Sequence, residues 1–474
     1  MTIAFLTLGC KLNYAETSTY ERGFIAAGLE VVPWSARADI YVVNTCSVTA
    51  TSDAKSRNLI RKVHRINPSA SIIVTGCSAE LRRDELSRIE GVTKVFSTYE
   101  KSHLVSFVLT QICGIESSDS YPLSSVPEQL TPGVPSVPLR STPSLPQSPA
   151  SSLRDNLYPA GPSHLRNHGR LRVAGGEFSG TDEKVFAAYS TGERTRSFLK
   201  VQDGCNNFCK YCTVPYARGN SRNVPICECV RMARAIAAEG VKEIVLTGVN
   251  TGDFGRTTGE GFLDLLKALN EVEGIERYRI SSIEPNLITE EIIDWIAGGT
   301  KFQPHFHIPL QTGSDLQLAR MGRHYDTAFF AGRIDYIRRA MEGPGKPKVF
   351  FGIDVMVGLP GETPELFEET KSFIEKVRPA FIHVFPYSRR PGTPAAEMPD
   401  QVSEEEKKRR VEELEALCAR LHDEFREANR GVAEKVLFES TKRGGMMEGY
   451  TGNYIRVSRP YDKRLVNELV EVTI

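Results

Sequence analysis

DGCNNFCKYCTVPY, residues 203–216, decides how the central part of this 474-residue chain is interpreted. Its cysteines, Cys205, Cys209 and Cys212, have C-x-x-x-C-x-x-C spacing. Thiolates are soft ligands suited to iron–sulfur clusters or zinc, and zinc sites mostly complete four ligands from two separate C-x-x-C pairs. Three cysteines in one short loop instead bind three irons of a cubane cluster and leave the fourth iron open. The spacing therefore favours a 4Fe–4S cluster over structural zinc.

Strand-like apolar runs alternate with helices around this loop, from about residue 195 to residue 400. Repeated βα units of this kind predict a complete or partial barrel, in which sites lie at the carboxyl ends of the strands. The predicted strands are RSFLKVQ, EIVLTGV, RYRISSI, HFHIPLQ, VFFGIDVMVG and AFIHVFPYS.

The N-terminal 112 residues also alternate strands and helices, which predicts a doubly wound parallel sheet. Helices are predicted over 14–27 and 50–66. Three thiols lie where predicted strands end, at the edge where open α/β sheets bind ligands, so we expect them to converge in space. These are Cys10 after IAFLTLG (3–9), Cys46 at the end of IYVVNTC (40–46) and Cys77 at the end of SIIVTGC (71–77).

Three other segments differ in composition. Residues 121–150 contain eight prolines and six serines without periodicity, which predicts an extended or disordered linker over 115–190. Residues 403–430 form a charged helix with an apolar stripe. The last forty residues contain short β-like runs that predict a small all-β module.

Total charge gives no support for a nucleic-acid partner, because Lys plus Arg and Asp plus Glu each number 59. Any basic footprint must therefore be local. The N-terminal run MTIAFLTLGCKLN has no apolar stretch long enough for a secretory signal or a membrane span. We therefore expect a cytoplasmic location and no membrane association. In that reducing compartment ten cysteines indicate metal or redox groups rather than disulfides.

The chain resembles the methylthiotransferase branch of the radical S-adenosylmethionine (SAM) superfamily over nearly its whole length outside 115–190. The motifs that carry this resemblance are TLGCKLNYAET (7–17), NTCSVTATSDAKSR (44–57), VTGCSAE (74–80), QDGCNNFCKYCTVPYARG (202–219), LTGVNTGDFG (246–255), SSIEP (281–285), HIPLQTGSD (307–315), GIDVMVGLPGET (352–363) and FPYSRRPGTPA (385–395).

The resemblance implies two 4Fe–4S clusters together with SAM as methyl donor and radical source. The SAM-cleaving cluster would be held by Cys205, Cys209 and Cys212, and the second cluster, on which sulfur is delivered, by Cys10, Cys46 and Cys77. The remaining cysteines match no family ligand position and are interpreted as structural or surface thiols: Cys113, Cys227, Cys229 and Cys418. Expected SAM contacts are Thr247, Gly248, Ser282, Glu284, Gln311 and Ser314, whereas His305 and His307 receive no role.

The implied activity is the insertion of a methylthio group into a nucleoside of transfer RNA. An unactivated aromatic carbon has neither an acidic proton nor a leaving group, so a cofactor-derived radical must activate it. The implied partners are tRNA, an external electron donor and a sulfur source; the oligomeric state stays open.

The motif variants G-C-K-L-N-Y-A-E-T and N-T-C-S-V-T-x-x-S-D-x-K-S-R are most similar to the branch that modifies threonylcarbamoyladenosine. The expected target is the adenosine just after the anticodon. The isopentenyladenosine type usually has Gln-Met-Asn after its first cysteine, and the type that modifies a ribosomal-protein aspartate has Pro-Lys-Asn. Those two substrates remain alternatives, as does a zinc-stabilised RNA-binding protein without catalysis.

The implied α/β fold has an N-terminal methylthiotransferase domain (1–114), the linker (115–190), a radical SAM partial barrel (191–432) and a TRAM-like RNA-binding barrel (433–474). A further basic stretch, Arg218 with Arg222, adjoins the cysteine loop. The last domain contains a candidate surface for phosphate contacts and base stacking, which comprises Lys442, Arg443, Arg456 and Arg459 with Tyr450 and Tyr454. For any single residue, an ordinary solvated charge is an equally good interpretation.

Overall fold

The fold is that of a computed structural model, which describes residues 1–115, 185–191, 195–255 and 258–474. Most of the predicted linker lies outside these residues. No helix within the described part of the chain is long and apolar enough to cross a membrane.

The N-terminal residues form a five-stranded parallel sheet with the order β2-β1-β3-β4-β5. Alternate residues of each strand face opposite sides, so Val42 packs with Phe24 of one helix while Val43 packs with Ile60 of another. Helices thus cover both faces, which confirms the doubly wound sheet. The strands are β1 (Thr2–Thr7), β2 (Glu30–Val31), β3 (Ile40–Thr45), β4 (Ser71–Gly76) and β5 (Val92–Val95). The helices are Lys11–Ala26, Ala50–Ile66, Cys77–Leu81, Arg83–Ser87 and Leu104–Phe107, with short 3₁₀ and π segments at Lys101–His103 and Val108–Ile112.

The first helix begins at Lys11, three residues before the predicted start, so Cys10 is its N-cap residue. The second helix spans the predicted residues 50–66, and the Thr49 hydroxyl caps it by accepting a hydrogen bond from the Ser52 amide. Such a cap satisfies one of the amides that a helix N-terminus leaves without an intrahelical partner.

The central residues form six described parallel strands in two sheets, β11-β10-β7 and β12-β13-β14, joined by a bridge between Tyr278 and Phe302. One large apolar core lies between these strands and their outer helices, which confirms the partial barrel. The strands are β7 (Arg196–Lys200), β10 (Glu243–Thr247), β11 (Arg277–Ile280), β12 (His305–His307), β13 (Phe350–Val357) and β14 (Phe381–Pro386), with a short pair β8 (Gln202–Asp203) and β9 (Arg222–Asn223). The helices are Val214–Arg218, Ile226–Ala238, Phe262–Asn270, Glu290–Ala297, Asp315–Arg320, Thr327–Met341, Pro364–Val377, Pro394–Glu397 and Glu404–Glu427.

A short strand, β6 (Ala188–Tyr189), pairs antiparallel with β7. The predicted linker reached residue 190, whereas the structure includes this strand in the barrel sheet. The Tyr189 carbonyl accepts hydrogen bonds from Arg22 and Thr19 of the first helix. These contacts join the N-terminal sheet to the barrel.

The C-terminal residues form an antiparallel four-stranded sheet with the order β17-β16-β15-β18, as predicted for a small all-β module. It packs against the barrel through Arg279, which donates hydrogen bonds to the Thr451 and Gly452 carbonyls at 2.7 Å each. Its strands are β15 (Ala433–Arg443), β16 (Met446–Tyr450), β17 (Arg456–Pro460) and β18 (Leu469–Thr473).

Candidate metal centres

The structure brings Cys10, Cys46 and Cys77 to one edge of the N-terminal sheet. Cys46 directly follows β3, Cys77 directly follows β4, and Cys10 precedes the first helix. A Cβ atom on Gly9, whose φ is +102°, would lie 2.9 Å from the Cys46 Cβ and 3.0 Å from its Sγ. Glycine is therefore required there for the loop that carries Cys10 to pass Cys46.

The second cysteine group occupies the loop between β8 and the helix Val214–Arg218. Each of its sulfurs accepts one hydrogen bond. The Asn207 amide donates to Cys205 Sγ at 3.5 Å and the Val214 amide to Cys212 Sγ at 3.4 Å. Cys209 Sγ accepts from Arg323 Nη1 at 3.1 Å. Hydrogen bonds of this kind set the reduction potential of an iron–sulfur cluster.

The donor sets of both groups fit metal centres. All ten cysteines are free thiols. Burial raises the pKa of Cys46 to about 11 and that of Cys205 to about 12, so without a nearby positive charge these thiols would stay protonated at neutral pH. A coordinating metal ion deprotonates such a thiol. Three thiolates per group suit a cubane cluster that keeps one iron open.

Arg218 connects the two cysteine groups. Its buried guanidinium donates from Nε to Cys77 Sγ at 3.2 Å, from Nη1 to Asp203 at 2.8 Å and from Nη2 to Asn13 at 2.6 Å. The next residue is Gly219, whose carbonyl oxygen accepts a hydrogen bond from the Cys205 amide, with 3.1 Å between oxygen and nitrogen. The segment 218–219 therefore touches one cysteine of each group.

The basic stretch predicted at Arg218 and Arg222 is not a surface. Both side chains are buried, and Arg222 lies over the Tyr99 ring, 5.0 Å from its centroid. The reason is that Arg218 pairs with buried carboxylates, while Arg222 packs on the aromatic ring. The positive charge adjoins the cysteines instead of a phosphate backbone.

A buried charge network surrounds Arg218. Lys101 and Lys200 bind opposite oxygens of Glu16 at 2.8 and 2.7 Å, and Lys200 also binds Asp203 at 2.6 Å. Two carboxylates thus face three cations, an excess of one positive charge beside Cys77. Burial alone would raise the pKa of Glu16, but the neighbouring cations outweigh it and lower that pKa to about 2. The excess charge offsets the negative charge of thiolates. In the sequence, the lysine within the apolar run RSFLKVQ is one signal of this network, and Glu16, Asp203 and Arg218 lie within motifs that carry the family resemblance.

The expected SAM contacts all follow the carboxyl ends of barrel strands. Thr247 ends β10, and Gly248 follows it. A Cβ atom on Gly248 would lie 2.9 Å from the Gln202 amide oxygen, so this glycine also serves close packing. Glu284 is bound by the Arg323 guanidinium in a largely buried ion pair. The other expected contacts, Ser282, Gln311 and Ser314, follow β11 and β12.

Four buried polar atoms at this same barrel edge have no hydrogen-bond partner within the described structure: Asn250 Nδ2, Ser281 Oγ, Ser314 Oγ and Gln317 Oε1. An unsatisfied buried polar group costs about 1–3 kcal/mol. A ligand rich in donors and acceptors, such as the amino acid and ribose parts of SAM, would satisfy such atoms.

The four cations of the candidate RNA surface do not share one face. Lys442, Met447 and Arg459 are cross-strand neighbours, and the two cations lie over the Tyr461 and Phe438 rings. Arg443 and Arg456 lie on the opposite face, because side chains alternate along a strand.

Of the two tyrosines of that candidate surface, Tyr450 is the cross-strand neighbour of Arg456. Tyr450 and Tyr454 stack on each other, 4.9 Å between centroids, and Arg196 donates a hydrogen bond to the Tyr454 hydroxyl at 2.8 Å. Arg196 of the barrel lies over both rings, so the two tyrosines contact the barrel and only Tyr450 adjoins a cation of the candidate surface.

The four cysteines without a predicted ligand role are structural or peripheral. Cys229 and Cys418 are buried in the barrel core, where their sulfurs contact the backbone of Val224 and Ile382. Cys227 is exposed and Cys113 is partly buried.

Comparison with known proteins agrees with this site. Residues 2–97 match the family described as Uncharacterized protein family UPF0004, and residues 199–374 match the Radical SAM superfamily. The threonylcarbamoyladenosine tRNA methylthiotransferase MtaB of Bacillus subtilis is 36% identical over 479 residues, covering all of this chain and 93% of its own. This chain belongs to the MtaB family of radical SAM tRNA methylthiotransferases.

Further relatives of this MtaB family member carry the same name or that of another tRNA methylthiolation enzyme. The MtaB protein of Aquifex aeolicus is 32% identical over the full length of both chains. A tRNA-2-methylthio-N(6)-dimethylallyladenosine synthase of Carboxydothermus hydrogenoformans is 28% identical, covering 99% of this chain and 95% of its own. As an MtaB family member the chain uses SAM with one 4Fe–4S cluster in its radical SAM part and carries a second cluster in its N-terminal part.

One solved structure shares the fold of this MtaB family member. The radical S-adenosylmethionine methyltransferase TsrM of Kitasatospora setae has a TM-score of 0.52 at 15% identity, covering 83% of this chain and 74% of its own. At that identity the likeness extends to the fold alone, an α/β architecture over most of the chain.

Proposed function

We propose that the chain inserts a methylthio group at C2 of N6-threonylcarbamoyladenosine, at the adenosine next to the anticodon of tRNA. The observation that supports this most directly is the pair of cysteine groups that flank the segment 218–219. Two metal centres side by side suit a reaction in which one activates the substrate carbon and the other supplies sulfur.

The roles of the cysteines follow from their positions. Cys205, Cys209 and Cys212 would hold the SAM-cleaving cluster, and Cys10, Cys46 and Cys77 the second one. SAM bound at the first cluster supplies the radical that activates an otherwise unreactive carbon. The protein's own residues bind and orient: the strand-end residues listed above would hold SAM, while Arg218 and Arg323 fix the positions of Cys77 and Cys209 through hydrogen bonds.

The threonylcarbamoyl substrate is favoured over the alternatives by the relatives with 36% and 32% identity, whose names state that substrate. Isopentenyladenosine is the second candidate, because a relative with 28% identity carries that activity in its name. A ribosomal-protein aspartate has no support among these relatives. The match to the Radical SAM superfamily disfavours a zinc-stabilised RNA-binding protein without catalysis.

The remaining partners follow from the chemistry. Cleavage of SAM needs an external electron donor, and each turnover needs a sulfur source. Ten free cysteines suit a reducing compartment, which supports a cytoplasmic location. The proposed domains are an N-terminal domain over 1–114, a barrel that includes β6 (Ala188–Tyr189) and ends at 432, and a C-terminal domain over 433–474. The face of the C-terminal sheet with the exposed Arg443 and Arg456 would contact tRNA.

Anaerobic reconstitution tests this function. The protein, loaded with iron and sulfide, is incubated with SAM, dithionite and tRNA that contains either threonylcarbamoyladenosine or isopentenyladenosine. Nucleoside analysis by mass spectrometry is expected to show the methylthio derivative of the first nucleoside and little of the second. Exclusive conversion of the isopentenyl nucleoside would contradict the proposed substrate while preserving the reaction class.

A further inference from the structure

Arg218 belongs to the barrel, but two of its three hydrogen-bond partners lie in the N-terminal domain. It ends the helix Val214–Arg218, which follows the loop of the other cysteine group. Its Nε donates to Cys77 Sγ at 3.2 Å across 141 positions of sequence, and its Nη2 donates to Asn13 Oδ1 at 2.6 Å across 205 positions. The guanidinium therefore joins the barrel to the residues around the N-terminal thiols, which are Cys10, Cys46 and Cys77.

Asn13 extends the reach of this guanidinium. The buried Asn13 amide donates from Nδ2 to the Leu8 carbonyl at 2.7 Å and to the Thr45 carbonyl at 3.0 Å. Leu8 lies two positions before Cys10, and Thr45 directly precedes Cys46. Together with its own contact to the third thiol, the guanidinium is thus linked to every segment that carries an N-terminal thiol, through at most one amide side chain.

Arg218 also carries the charge that its buried network leaves without a counterion. Lys101 and Lys200 are balanced by the carboxylates of Glu16 and Asp203, so the net charge of the network equals the charge of Arg218. All five side chains are buried, and solvent and salt screen buried charges little. Net charge and hydrogen bonds to the sulfurs are two of the factors that set the reduction potential of an iron–sulfur cluster.

The arginine beside the other cysteine group has a different charge balance. Arg323 donates to Cys209 Sγ at 3.1 Å, but it also forms an ion pair with Glu284. One cation there meets one carboxylate, which leaves no excess of positive charge. An arginine that contacts a cysteine sulfur is thus common to both groups, whereas the uncompensated charge is found beside Cys77.

We propose that Arg218 is a positioning residue for the second cluster, which holds the N-terminal thiols in place and raises the reduction potential of the cluster that they bind. This inference rests on the proposed function, in which that cluster receives the sulfur. Reduction adds one electron, so the reduced cluster is the more negative form and a nearby cation stabilises it. The hydrogen bond to Cys77 Sγ acts in the same direction, because it withdraws electron density from the sulfur.

A simpler role for Arg218 is to stabilise the packing of the N-terminal domain on the barrel. Replacement of a buried, ion-paired arginine would then destabilise the protein and leave the reduction potential of the cluster unchanged. The response to network charge separates the two roles. Arg218→Met lowers the net charge of the network by one, whereas Asp203→Asn raises it by one, so an electrostatic role requires shifts of opposite sign.

The test uses the full-length chain with alanine at 205, 209 and 212, in which only the N-terminal thiols remain to hold a cluster. Into this background we introduce Arg218→Met, Arg218→Lys, Asp203→Asn or the control Arg410→Met. Arg410 is also buried and ion-paired, but its partners are Glu362 and Glu406 and not a cysteine. Each protein is reconstituted anaerobically, its iron content is measured, and its midpoint potential is determined by dithionite titration monitored by electron paramagnetic resonance.

We expect Arg218→Met to lower the ratio of reduced to oxidised cluster at a fixed potential by roughly tenfold or more, which corresponds to about 59 mV for a one-electron couple. Asp203→Asn should shift the midpoint potential upward by a similar amount. Arg218→Lys keeps the charge but cannot reproduce the planar fork that reaches three partners at once, so its downward shift should be smaller than that of Arg218→Met. Arg410→Met should match the background.

Contrary results overturn different parts of the account. If Arg218→Met and Asp203→Asn hold four irons and keep the background potential, or if both shift it in the same direction, the inference is wrong although the proposed function stands. Should Arg218→Met fail to retain iron, the sign of the Asp203→Asn shift decides, and a shift downward or no shift refutes the inference. If the background protein itself binds no cluster, the proposed function loses its second centre and the inference falls with it.

Discussion

The Cys209→Ala variant is expected to lose SAM cleavage completely, whereas Cys46→Ala should keep it and lose only sulfur insertion. The reason is the division of the six thiols into two groups on different structural units. Cys209 lies in the loop before the helix Val214–Arg218, and Cys46 follows β3 of the N-terminal sheet. The measurements are 5′-deoxyadenosine formation with dithionite and the methylthio nucleoside in the same reaction.

The matched control is Cys227→Ala, which removes an exposed thiol outside both groups. It should retain both activities at the wild-type level. Methylthio product from the Cys46 variant at a normal rate would refute the division of labour between the two centres. Loss of SAM cleavage in that variant would show that the N-terminal group is needed for the first step as well.

Glu16→Gln is expected to lower the free energy of unfolding by roughly 3–5 kcal/mol, the usual cost of leaving buried charges without their partner. Three cations would then face the single carboxylate of Asp203. The ion pairs of Glu16 with Lys101 and Lys200 are fully buried, so solvent screens them little. Urea denaturation at neutral pH, under anaerobic conditions with reconstituted protein, measures the loss.

The control for Glu16→Gln is Glu30→Gln, an exposed carboxylate of the same domain, for which a change within about 0.5 kcal/mol is expected. The pKa of Glu16 lies at about 2, below its ordinary value of 4.5. Its contribution is therefore fully present above about pH 4.5 and is lost as the pH falls towards about 2. Equal stabilities of the two variants at neutral pH would contradict the role of the network.

The sequence predicted those parts of the molecule that depend on local pattern. Buried strands followed by Cys10, Cys46 and Cys77 placed these residues at one sheet edge, since parallel strands share their carboxyl ends. The loop with Cys205 is indicated by its cysteine spacing, by the aromatic Tyr211 before Cys212 and by the preceding strand. Both patterns lie within short segments, and no knowledge of tertiary packing is needed to identify them.

The charge network required the structure. Glu16 meets Lys200 across 184 positions of sequence, and Arg218 meets Asn13 across 205. Each of these residues taken alone resembles an ordinary polar side chain. The prediction of an RNA surface rests on basic residues that lie close together in the C-terminal sequence. Arg456 and Arg459, however, are three positions apart on one strand, so their side chains face opposite sides of the sheet.

The central claim is that six thiols build two separate clusters, and the iron content of three proteins tests it most directly. Anaerobically reconstituted wild type should contain about eight irons with matching sulfide. The variant with alanine at 205, 209 and 212 and the variant with alanine at 10, 46 and 77 should each keep about half of that amount. After reduction with dithionite, each should give the electron paramagnetic resonance signal of one cluster. About four irons in the wild type, or zinc with negligible iron, would contradict the account.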